Sequence, residues 1–517
     1  MSTKIRDSLH ELIGSLTKTE KRYFKLHATR HSGNDESNTV LLFDFIARQE
    51  IYDEAALVRH FKGKAFLNQF STVKKRLYDH LLESLHLFHA NASVEARLAQ
   101  MLHQATILYE KSLYDHSLRQ LRSIEKIALK NELFLVLVQA GKLRQRILET
   151  KGYDTEEETL VEMKSGTDHF LSKEQLLSTL WKLKSNLFRQ LQSTGIATTP
   201  EEKEKLRMLL SELPQAETLE QLQSVEGSYL YYHLQSAYYY AIGEFSQSLR
   251  FTEQTIAYLQ ENPVFTNKRP NILISVLTNA CYLAESLGQY EKSSAFLQLL
   301  KATGKQQESL SEDMQIKLFS SIASIELSLL ILKGDFQASG AVMKTVSDGL
   351  EKYGTRIHPS RRAFFQLKSA VVHIGNEAYT AALKQINLIL NDSQLDEKEE
   401  LIVAAHLLNV LLHFELRNTD YLPYAIKSAQ RHLKTRKRLQ EFETAFLQAI
   451  SKTTRSHELD IPEIFSALAE KLNAVPGAEK PVTLSVHFDF MTWIGAKISQ
   501  HSLAKAVRDK YRFLASA

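Results

Sequence analysis

One short turn signature recurs through the middle of the chain and constrains its fold more than any other feature. A helix-forming run ends in a small or turn-forming residue, an aromatic follows two positions on, and a small residue lies three further. It reads Gly243-Glu244-Phe245 with Ser248, Gly288-Gln289-Tyr290 with Ser293, and Gly334-Asp335-Phe336 with Ser339. Weaker copies fall at Tyr379 with Ala382, and at Tyr421 within Asn418-Thr419-Asp420-Tyr421. These aromatics are spaced 45, 46, 43 and 42 residues apart, and Tyr114 with Ser117 and Tyr153 after Gly152 look like further copies. Glycine ends a helix because it tolerates the left-handed conformation needed there. The aromatic then wedges between two antiparallel helices, and the small residue lets them approach closely. Each hairpin keeps one apolar flank, so it must stack on a neighbour.

Composition points the same way. A chain of 517 residues would ordinarily suggest about three domains. Yet glycine numbers 18 and proline 9, about half or less of the usual ~7% and ~5%. Few breakers mean long uninterrupted elements. Leu, Ala, Lys, Glu and Gln dominate, and all favour helix. The expectation is an all-α protein.

The signature resembles the tetratricopeptide repeat (TPR) family, with the best match at residues 229–300. Tyr232, Ser236, Tyr239, Gly243, Phe245 and Ser248 fall at the family's large, small, aromatic, Gly, aromatic and small positions. Leu277, Cys281, Ala284, Gly288, Tyr290 and Ser293 repeat the pattern. The spacing exceeds the family's 34 residues, which implies helices of about 18 residues, or ~27 Å. The proline that usually closes a repeat is mostly absent, although Pro263 lies near the expected place. The resemblance implies a right-handed α-solenoid of about seven or eight hairpins. We expect a helical N-terminal domain over residues 1–90, the array over 91–455, and a C-terminal helical cap over 456–517.

At the N-terminal end, Thr17-Lys18-Thr19-Glu20 forms a capping box. A polar loop follows over 31–38, then an apolar helix over 41–49. Asp53 caps a short helix ending near Phe61, and a long helix over 66–88 carries Phe70, Val73, Leu77, Leu81, Leu82, Leu85 and Phe88 on one face. At the other end a helix near 461–473 precedes a breaker stretch over 474–481 and a final helical segment from about Leu484. There Phe490, Trp493 and Ile494 share a face. Covering the last hairpin is the expected role of that patch, and a homodimer contact is the alternative.

Nothing in the sequence recommends an enzyme. The 19 histidines include no His-Glu-x-x-His pair, and no phosphate loop or nucleophile elbow occurs. The single Cys281 sits among apolar residues and reads as a small buried hydrophobe. No cofactor or metal is expected. The net charge of +4 makes no global case for nucleic acid. The amino terminus lacks a signal-peptide core, and no stretch approaches the roughly 18 apolar residues of a membrane span. A cytoplasmic location is expected.

The TPR resemblance places the first helix of each pair on a concave surface. Transferring its register puts His233, Tyr240, Asn279, Tyr282, Lys368, Asn409, His413 and Arg417 there. Amide and basic donors suit a carboxylate-terminated or acidic peptide. The expected function is therefore a scaffold or adaptor holding a protein or peptide. Tyr229, Tyr231, Tyr232, Tyr238, Tyr239 and Tyr240 are too many for one core face, so some should be exposed or half-buried. A rival reading takes 53–85 as a helix-turn-helix with Lys74, Lys75 and Arg76 on nucleic acid, while the array senses a ligand. Leu16-Thr17-Lys18-Thr19-Glu20 resembles the start of LuxR-type DNA-binding domains, but the separation to Thr72-Val73-Lys74 is far longer than in that family. A capping bundle explains the region as well. A second basic cluster, 431–438, spreads its charges around a helix.

Overall fold

A computed structural model of the chain describes residues 7–28, 36–90, 93–153, 157–197, 199–213, 224–306, 311–395, 400–435, 441–454, 460–473 and 487–516. Among these residues the protein is all-α, with 25 α-helices, two short 3-10 helices and no strand. The breaker stretch at 474–481 and part of the 431–438 cluster lie outside the described residues. The chain separates into two compact units: Met1–Thr179 with Ala216–Ser224, and Leu180–Gln215 with Val225–Ala517.

The first unit opens with small helices whose starts are written locally. The Thr17 hydroxyl accepts from the Glu20 amide at 3.3 Å while the Glu20 carboxylate accepts from the Thr17 amide at 2.7 Å. Asp53 caps Glu54–His60 through the Ala56 amide at 2.9 Å. The long helix is Phe70–Phe88, and the turn before it, Ala65–Gln69, is 3-10. Leu77 and Leu81 are fully buried against Leu9, Ile13, Phe24, Phe43 and Leu57. Leu82 and Phe88 depart from the expected stripe, at 44% and 39% exposure. Leu82 lies one residue, about 100° of helix, beyond the Leu81 line. The helices Val94–Glu110, Tyr114–Lys130 and Phe134–Thr150 pack in sequence behind a second core.

One turn closes helix after helix. A left-handed residue is followed by an amide that reaches back five residues, the Schellman arrangement. Gly243, Gly288 and Gly334 have φ of 82°, 71° and 69°. The amides of Glu244, Gln289 and Asp335 bond the carbonyls of Tyr239, Ala284 and Leu330 at 2.8–2.9 Å. The weaker copies at Tyr114, Tyr379 and Tyr421 use the same geometry without glycine: Ser112, Glu377 and Arg417 have φ of 61°, 58° and 54°, and Glu132, in a turn outside the signature, has φ of 52°. The small residues also sit where close approach requires them. Ser117 and Ser248 are fully buried, and their hydroxyls donate to Ala105 and Ser236 on the preceding helix at 2.9 and 2.8 Å.

In the second unit successive helices pair antiparallel: Val225–Ala241 with Phe245–Glu261, Pro270–Ser286 with Tyr290–Gln306, Glu312–Leu332 with Ser339–Tyr353, Pro359–Gly375 with Tyr379–Leu390, and Glu400–Glu415 with Leu422–Thr435. Many are 17 residues long, close to the expected length. Pro263 closely follows the end of Phe245–Glu261 and opens a six-residue helix, Pro263–Lys268. Glu312–Leu332 is apolar enough over 21 residues to pass for a membrane span, contrary to the reading of the sequence. Here it is flanked by Pro270–Ser286, Ser339–Tyr353 and Pro359–Gly375.

The signature aromatic acts as a wedge most tightly at Phe336, which is 2% exposed. A Cβ on Gly375 would meet its ring at 2.3–2.4 Å. Gly375→Ala should therefore cost about 1–3 kcal/mol through overpacking, read as a lower urea midpoint. An unchanged midpoint would mean that the ring can swing clear.

Phe490–Ile498 and Leu503–Ser516 end the chain. Phe490, Trp493 and Ile494 are all buried, joining Phe442, Phe446 and Phe465 of the preceding helices in one core. Trp493 also packs edge-on to Phe414 of the Glu400–Glu415 helix.

Candidate functional site

The residues placed on a common groove by register do not share one surface. His233 is sandwiched between the rings of Phe188 and Tyr229, each 5.6 Å away. Burial, reinforced by the Lys184 ammonium, lowers its pKa to about 4. Tyr240 is 42% exposed and lines a cavity of about 700 Å³ with Phe188, Arg189 and Ile196. Both thus face the segment after Leu180 rather than the next pair. His413 is buried, with Nδ1 3.0 Å from the Asn418 amide nitrogen and its ring 4.5 Å from Tyr421. Asn409 is half-buried, and its Oδ1 has no hydrogen-bond partner among the described residues. Arg417 is exposed at the turn. Within the tyrosine cluster, Tyr229 is buried, four others are half-buried and Tyr240 alone is exposed.

The structure does bring Tyr282 and Lys368 to one place. Ser275, Asn279, Tyr282 and Ser286 form one stripe of the Pro270–Ser286 helix by their 4-3-4 spacing. Lys317 of the neighbouring Glu312–Leu332 helix donates to Ser275 at 2.6 Å. Arg361 donates to Ser324 at 3.3 Å, and Tyr282 lies beside both. Asn279 remains exposed on this stripe. One turn on, Glu285 accepts from Ser293 at 3.2 Å. Burial pushes the Glu285 carboxyl up, while the Lys368 ammonium and Ser293 hold it down. Lys368 is 6% exposed; burial lowers its pKa and Glu285 opposes that. Its Nζ also lies 5.4 Å from the Phe364 ring. His487 approaches the same ammonium, and burial first, then Lys368, lowers its pKa to about 4. First helices of separate pairs thus converge on an enclosed ionisable cluster.

Glu285, Arg361 and His487 were not singled out from sequence. One signal was available: Glu285 is the sole charged residue of Pro270–Ser286. A lone charge on an apolar helix has to find a partner.

The C-terminal helix lies against two of these first helices and reaches the start of one second helix. Leu503–Ser516 touches Glu312–Leu332 and Pro359–Gly375. Tyr511 sets its ring 5.3 Å from that of Tyr290 and donates to Glu291 at 3.5 Å.

In the first unit, Lys74 is already engaged. Its ammonium bonds Asp7 at 2.5 Å, Tyr52 at 2.7 Å and Glu54 at 3.2 Å. Burial alone would lower its pKa, but these bonds reverse that and raise it. Lys75 and Arg76 are exposed on the same helix. No group of three or more His, Cys, Asp or Glu able to hold a metal occurs among the described residues. No protein-family model matches the chain, and neither does any curated protein or solved structure.

Proposed function

We propose that the chain is a non-catalytic adaptor, a TPR-like right-handed solenoid that holds a protein or peptide on the face of its first helices. The observation that carries this reading is the contact running from first helix to first helix. Pro270–Ser286 meets Glu312–Leu332, which meets Pro359–Gly375, which meets Glu400–Glu415. Such a row lets side chains from several pairs act on one extended ligand, as Tyr282, Ser324 and Arg361 already act on each other. The repeated turn and the near-uniform helix lengths support the TPR-like reading. A cytoplasmic setting fits a single cysteine held buried.

The test is capture by tagged wild-type chain and by Asn279→Arg from native lysate, with and without nuclease. A stoichiometric protein that survives nuclease and is depleted about ten-fold from the variant is expected. Capture of nucleic acid alone, or equal capture by both chains, would overturn the adaptor reading.

A further inference from the structure

One of the chain's own helices is seated where the row of first helices meets the turns at Gly288 and Gly334, and it shows what that edge accepts. Leu503–Ser516 approaches the turn after Glu312–Leu332 so closely that a Cβ on Gly334 would lie 3.0 Å from both the Ala504 carbonyl oxygen and the Arg508 amide nitrogen. Ala504 and Val507 pack on the main core. One further turn along, Tyr511 rests on Tyr290, with the Lys333 ammonium 5.8 Å from its ring centre. These three contacts fall at positions 504, 507 and 511, the i, i+3, i+7 stripe of a helix.

The apolar attachment is light. Among its described residues Leu503 alone is buried; Lys505, Arg508, Asp509 and Arg512 are exposed and Phe513 is 73% exposed, while Lys510 bonds Asp489 at 2.5 Å and Phe490–Ile498 packs alongside. A helix of 14 residues has little stability of its own in water. Its tether supplies an effective concentration in the millimolar range, so even weak contacts keep it in place.

We infer that the strip formed by Tyr290, Lys333 and Gly334 is a helix-docking groove, filled in cis by Leu503–Ser516, whose outside partner is an amphipathic helix with the same small, apolar and aromatic stripe. The inference rests on the adaptor reading and names its ligand class. The small residue is demanded by Gly334, where helix backbone meets turn backbone. The aromatic is demanded by Tyr290 below it and by Lys333 beside it, a cation–π arrangement. The partner displaces the resident helix instead of adding to it.

The probe is a fluorescein-labelled peptide of residues 499–517, titrated by anisotropy against full-length wild type and full-length Val507→Asp/Tyr511→Ala. The variant should bind at least about ten-fold more tightly, because its own helix no longer competes. Adding Gly334→Ala should abolish that gain. No binding by a variant with wild-type circular dichroism overturns the inference, as does equal binding to wild type. Should the double variant not fold, Tyr511→Ala alone serves. Hydrogen exchange on the wild type is an independent check: amides of 503–511 should exchange well before those of 490–498, and equal protection of both helices overturns the inference. A dimer that excludes the peptide assigns the groove to a second copy and overturns the outside-partner reading. Failure of the peptide with partner capture intact removes only the groove. Peptide binding without partner capture removes only the adaptor reading.

Discussion

Acidification from pH 7 to about 4.5 is expected to unfold the second unit, with the loss beginning near the ordinary histidine pKa. His233, His406 and His487 are each lowered from 6.5 to about 4, chiefly by burial. Above 6.5 all three are neutral whether the chain is folded or not. Below it the unfolded chain takes up protons that the folded chain refuses, so stability falls as pH falls toward 4. At roughly 1.36 kcal/mol per unit, each imidazole costs about 3 kcal/mol at the bottom of that window. Three together approach the whole stability of an ordinary domain, about 5–15 kcal/mol. Their surroundings give no relief. His233 lies between two aromatic rings beside Lys184, His406 sets its ring tilted against that of His432 at 4.3 Å, and His487 faces Lys368. Urea midpoints at pH 7.5, 6 and 5 measure the effect, and His406→Phe should flatten the slope. A midpoint constant across this range would mean that the imidazoles are reached by water.

Trp493→Ala should remove about 3–5 kcal/mol, the range for a buried large aromatic. Trp493 is 1% exposed, with its ring set edge-on to Phe414 at 5.8 Å and Phe465 at 5.2 Å. Its indole N–H donates to Glu415 at 2.7 Å. Trp493→Phe keeps most of the packing but takes one donor from a carboxylate that is 8% exposed, leaving Lys497 to hold it. A smaller loss of about 1–2 kcal/mol follows. Urea denaturation of both variants decides the matter: a loss under about 1 kcal/mol for the alanine would show that the C-terminal helices add little to the core.

What was legible in the sequence was whatever is decided locally. Gly243, Gly288 and Gly334 announced left-handed turns because their neighbours need one there, and Thr17 and Asp53 announced helix starts. Ser112, Glu377 and Arg417 adopt the same backbone without the residue that advertises it, so aromatic spacing is their only signal, and Glu132 turns the same way with no signature at all. The groove register failed at His233 and His413 for a different reason. Solvent exposure on a first helix depends on what else the chain lays across it, and Phe188 and Tyr421 were not visible as neighbours. Lys368 was placed on the right row of helices, but as an exposed donor and not as a buried partner of Glu285. The seat of Leu503–Ser516 had no local signal at all, since Tyr511 and Glu291 are 220 residues apart.

That last separation bears on how the molecule responds to force. Pairs closed by the same five-residue turn touch mainly their neighbours, so the row of helices can flex by small slips between pairs, each of little resistance. A single helix laid across Tyr290, Gly334 and the Pro359–Gly375 helix is a splint over several of those joints. Its departure would soften the row without breaking any pair, and a ligand that takes its place would stiffen it again.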